Sequence, residues 1–118
     1  MLVISEKLAE SFAVSSSAQF REKLEHFLRR DFPEIIANLS DDQIRARIDR
    51  GLSLGLEYGM QTREDFIRFS YMYFQFGQDF ETVAEAEWIR SILELEATGK
   101  EKLDLIERAA KEYTTKAY

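Results

Sequence analysis

Cysteine is absent from this 118-residue chain, proline occurs once and histidine once. Without cysteine there is no disulfide framework, no thiol nucleophile, and no zinc or iron–sulfur site of the cysteine type. A single proline and five glycines argue against a turn-rich β fold and against disorder. The lone histidine, His26, falls on the polar side of its predicted helix, beside Glu22, Glu25 and Arg30. A di-iron bundle needs two Glu-x-x-His pairs, and this chain supplies one at most, so His26 reads as a solvated surface residue. The Ser15–Ser17 run lacks the Gly-x-Ser-x-Gly setting of an activated nucleophile, and no glycine loop is placed to cradle phosphate. Glu81, Glu85, Glu87, Glu94 and Glu96 read as charged helix faces rather than a catalytic pair. These absences predict a non-enzymatic protein with no catalytic, cofactor-binding or metal-binding residues. The opening MLVISEKLAESF has no basic n-region and no apolar stretch of signal-peptide length, and no run approaches a membrane span. The expectation is a cytoplasmic protein that does not contact the membrane.

Charge narrows the partners. Sixteen basic residues stand against twenty-two acidic ones, a net charge of −6. Affinity for nucleic acid rests on Lys and Arg displacing counterions from phosphates, which a chain of this sign opposes. The local basic spots, Arg29 with Arg30 and Arg45 with Arg47 and Arg50, are interleaved with acids and read as solvated helix faces. Nucleic-acid binding is therefore not expected.

What the chain does have is one aromatic stretch, Phe66 to Phe80, with seven of the fifteen aromatic residues. At 100° per residue its helix carries Phe66, Phe69, Tyr73 and Phe76 on one stripe and Ile67, Tyr71 and Phe74 on a second. Only Glu64, Arg68 and Gln75 are left for water, with Glu64 and Arg68 spaced for an i,i+4 ion pair. A helix apolar on nearly every side must be surrounded, by its own domain or by a partner.

The remaining elements are predicted around it. A helix from Glu6 to about Val14 leads to the serine break, then a helix from about Ala18 to Arg30 carries Phe20, Leu24, Phe27 and Leu28. Pro33 opens a short turn of helix with Ile35, Ile36 and Leu39. Ser40-x-x-Gln43 is a capping box for a helix reaching about Tyr58. Gly51 and Gly55 lie on its packing face, where the missing Cβ leaves room for aromatic rings, and Gly59 follows as a left-handed C′ residue. Thr62-x-x-Asp65 starts the aromatic helix and Gly77 ends it, with Phe80 turned back onto the core. A helix from about Val83 to Glu96 presents Trp88, Ile92 and Leu95, with Ile89 and Leu93 adjacent. Thr98-Gly99 breaks the chain before a last helix from Lys100 to Tyr113 with Leu103, Ile106 and Ala110 inward. The predicted fold is all-α, a single domain over residues 1–118, with five or six short helices around the central aromatic one. Part of the Ile67–Tyr71–Phe74 stripe, with Trp88 as an anchor, is the candidate surface for binding another protein.

Several stretches together resemble a family of small bacterial proteins encoded beside type VI secretion spike proteins, PAAR tips and toxic effectors. They are the opening MLVIS, Phe32-Pro33-Glu34, Tyr58-Gly59, Thr62 with Asp65, and Phe76-Gly77-Gln78-Asp79-Phe80. One departure is Gln78, where that pattern carries proline after glycine. The resemblance implies an accessory role, as a chaperone or co-chaperone that helps a secretion effector or its adaptor reach the spike. The alternative is an immunity protein that blocks a toxin in the same compartment, with carboxylates such as Glu81, Glu85 and Glu87 mimicking phosphates. A third is a small enzyme working through carboxylates alone.

Overall fold

Four of the helix starts are set by side chains, those of Ser17, Ser40, Thr62 and Thr98, that satisfy free backbone groups of the first turn. The computed structural model describes residues 13–76 and 87–116, with side chains to 75 and 111. Every regular element among those residues is a helix. Residues 13–16 are helical, and Ser17 then caps α1 (Ala18–Asp31) by accepting from the Phe20 amide at 3.2 Å. Pro33 occupies the first turn of α2 (Pro33–Ile36). At α3 (Asp41–Glu57) both halves of the capping box form: the Gln43 amide donates to Ser40 Oγ at 3.1 Å, and the Ser40 amide donates to Gln43 Oε1 at 2.8 Å. Thr62 accepts from the Asp65 amide at 3.1 Å and opens α4 (Arg63–Phe76). The chain resumes with α5 (Glu87–Leu93) and α6 (Gly99–Lys116). Thr98, expected only as a break, also caps α6, accepting from the Glu101 amide at 3.1 Å.

The α3–α4 corner is a complete Schellman turn. Gly59 takes φ 92°, its amide donates to the Leu56 carbonyl at 3.2 Å, and the Met60 amide donates to the Gly55 carbonyl at 2.9 Å. That closes the last carbonyls of α3 and drives the Met60 side chain into the core. Lys102 of α6 secures the same corner from outside, donating from Nζ to the Tyr58 carbonyl at 2.9 Å. Burial pushes this ammonium below its usual pKa.

α4 is the centre of the core, packed against α3 most extensively and against α1 and α6. Phe66, Phe69, Tyr73 and Phe74 are each 1% exposed or less. Phe20 of α1 meets Phe66 edge-on with centroids 6.5 Å apart. The two helical glycines of α3 differ in function. A Cβ at Gly55 would stand 3.1 Å from Phe66 Cδ1 and 3.3 Å from Phe69 Cδ1, whereas one at Gly51 would meet Tyr73 at an ordinary 3.5 Å. The room for aromatics is thus made by Gly55. The closest approach among the described glycines is at Gly99, where a Cβ would lie 2.8 Å from the Gly59 carbonyl oxygen and 3.0 Å from Met60 Cα. Both are backbone atoms, so the α6 amino end is pressed against the α3–α4 corner.

Three expectations need correction. Arg68 does not pair with Glu64; it reaches across to α6, to Asp104 at 2.8 Å and Glu107 at 2.9 Å. Two carboxylates on a facing helix outbid one exposed neighbour on its own. In α5 the buried pair is Ile89 and Leu93, while Trp88 and Ile92 are half-buried and Leu95 is 48% exposed. The i,i+4 pair Ile89 and Leu93 packs toward α6, and Leu95 lies beyond the helix end at Leu93. Phe27 is half-buried under the Arg30 guanidinium, 5.3 Å from its ring centre, rather than in the core with Phe20, Leu24 and Leu28. The expected first helix up to residue 12, the Gly77 stop, the Phe80 contact and the start of the Val83 helix lie outside the described residues. So do the carboxylates Glu81 and Glu85 and the side chain of Tyr113.

Two predictions follow from the packing. Gly51→Ala removes an unfavourable helical glycine at a site with space for a methyl, and stabilises by about 0.5–1 kcal/mol. Gly99→Ala forces backbone apart and costs about 1–3 kcal/mol. Urea denaturation of the two variants checks the opposite signs. Ser70, 1% exposed between α3 and α4, has a hydroxyl with no hydrogen-bond partner. A buried unpaired hydroxyl costs about 1–3 kcal/mol, so Ser70→Ala leaves stability unchanged or raises it, and a fall in melting temperature contradicts this reading.

Candidate functional site: an apolar groove between α4 and α6

Side chains at helical spacing build a groove along the side of α4 that faces away from α3. Ile67, Tyr71 and Gln75 follow each other at i,i+4 along α4, with Arg68 and Met72 one position on. α6 contributes Leu103, Ile106, Glu107 and Ala110 at i,i+3,i+4,i+7. Together these nine residues line a cleft of about 380 Å³. That volume lies at the small end of ligand-binding clefts and holds one or two large apolar side chains.

The polar groups at the groove hold its walls together. The Arg68 guanidinium bridges α4 to α6 through Asp104 and Glu107. Burial disfavours its charge, and the two carboxylates outweigh that effect, so its pKa is raised. On the α4 wall the Tyr71 hydroxyl donates to Asp31 Oδ2, at the end of α1. Asp31 also accepts from Arg30 at 2.9 and 3.0 Å. The Arg30 hydrogen bonds first, and that from Tyr71 second, hold the Asp31 carboxyl down to about 2. Partial burial and then the Asp31 contact push the Tyr71 phenol up. Its ring is fixed from the side by Phe32, edge-on at 5.2 Å between centroids.

The four residues singled out from the sequence therefore separate. Ile67 and Tyr71 are half-buried and form one wall of the groove. Phe74, expected on the same open stripe, is 1% exposed: the chain leaving α1 lays Phe32 over it, with ring centroids 6.3 Å apart. It belongs to the core and presents nothing to a partner. Trp88 is half-buried on α5 and does not line the groove. The α6 wall was missed as a site because its residues form an ordinary amphipathic stripe. Only the long-range contacts of Arg68 to Asp104 and Glu107 bring that wall against α4.

A second hollow, of about 250 Å³ between α1 and α3, is lined mostly by charged residues. It is crossed by ion pairs, Arg21 with Asp49 at 3.3 Å and Arg45 with Glu25 at 3.4 Å, and flanked by Arg29, which reaches Glu25 and Asp41. Arg29 and Arg45, each from one of the basic spots of the sequence, are here paired with acids. His26 is exposed. Among the described residues no group of three or more His, Cys, Asp or Glu side chains is placed to hold a metal ion, and no helix is long and apolar enough to cross a membrane.

What fold and site define together is an all-helical domain with an apolar interhelical groove braced at both walls. No protein-family model, curated protein or solved structure matches the chain.

The pairing of Asp31 predicts a pH dependence. Its folded pKa lies below the ordinary 3.8, so the contact stabilises the fold fully above about pH 4 and is lost as the pH falls through about 2. Asp31→Asn should narrow the gap in urea midpoint between pH 5 and pH 2.5. An identical acid dependence in wild type and variant would show that the contact does not form in solution.

Proposed function

We propose that this chain is a non-enzymatic, cytoplasmic accessory factor that binds another protein, a type VI secretion effector or its adaptor, and acts as its chaperone or co-chaperone. The observation that supports the reading is the apolar groove walled by Ile67, Tyr71, Leu103 and Ile106. A client segment docks there by inserting one or two apolar side chains between α4 and α6, as an amphipathic helix docks into a two-helix groove. Ile67 and Tyr71 are the binding residues of this reading. Phe74 supports them from the core, and Trp88, half-buried on α5, makes a separate partner contact. The chain's net charge of −6 keeps the complex in solution.

The test is co-expression with candidate type VI effector and adaptor proteins, followed by size-exclusion chromatography with light scattering at low and high salt. The groove reading predicts a complex that survives high salt and an effector that stays active. Ile67→Glu should weaken it at least about tenfold, the ~1.4 kcal/mol expected for loss of one well-placed apolar anchor. Gln75→Trp, which fills the groove from an exposed rim position, should do the same without touching the core. A complex that dissolves in salt and holds the toxin inactive would replace this reading with the immunity protein. A complex indifferent to both substitutions would remove the groove from it.

A further inference from the structure

We draw no further inference here: the strongest candidate, the apolar groove between α4 and α6, belongs to the site already described, and nothing in the structure shows what covers it beyond that reading.

Discussion

The approach of α4 to α3 across Gly55 is the constraint from which the rest of the structure follows. Phe66 and Phe69 lie against a backbone with no Cβ, close enough that a methyl there would meet both rings at 3.1–3.3 Å. That places the most aromatic helix of the chain in the centre and lets Phe20 of α1 reach Phe66 from the other side. The Schellman turn at Gly59 makes the reversal between α3 and α4 tight enough for such contact, and burying Met60 reinforces it. Gly99 and Lys102 then fasten α6 to the same corner. One short region, residues 55–60, thus fixes the positions of three helices.

The groove is a consequence of that arrangement. With Phe66, Phe69 and Tyr73 committed to the core, the opposite side of α4 faces α6 among the described helices, with Asp31 and Phe32 against Tyr71. The two helices meet through Leu103 and Ile106 and through the Arg68 ion pairs, and the space between them is not filled by side chains. Exposed ion pairs contribute little to stability, about 0–1 kcal/mol each. The double pairing of Arg68 matters more for geometry, because it keeps the walls at a set separation. Tyr71 is held in the same way by Asp31 and Phe32, so that its ring stands as a fixed wall. A preformed groove loses less conformational entropy on binding than a mobile one.

Local chemistry was legible in the sequence. The capping box at Ser40, the Thr62–Asp65 cap, the left-handed Gly59, the proline-led α2, and the inward positions Phe20, Leu24 and Leu28 of α1 and Phe66, Phe69 and Tyr73 of α4 are all signals within four or five residues. What was not legible depends on partners far away in the chain. Arg68 was assigned to Glu64 because the i,i+4 rule sees only its own helix, whereas its partners lie 36 and 39 residues on. Phe74 was indistinguishable from Tyr71 by periodicity, since only the path of Phe32 decides which of them is covered. The α5 face was misjudged because its helix ends at Leu93, before the longer periodic pattern could apply. Thr98-x-x-Glu101 was a readable cap passed over in favour of the glycine beside it.

The central claim is that the fit between Gly55 and the α4 rings sets the fold, and a double-mutant cycle between Gly55→Ala and Phe66→Leu measures it most directly. Phe66→Leu takes away the nearer of the two rings that a Cβ at position 55 would strike, so Gly55→Ala should cost less in that background than in the wild type. A coupling of about 0.5–3 kcal/mol is expected for residues in contact. Additive losses would mean that the two helices can separate at little cost, and that the close approach at Gly55 does not organise the fold.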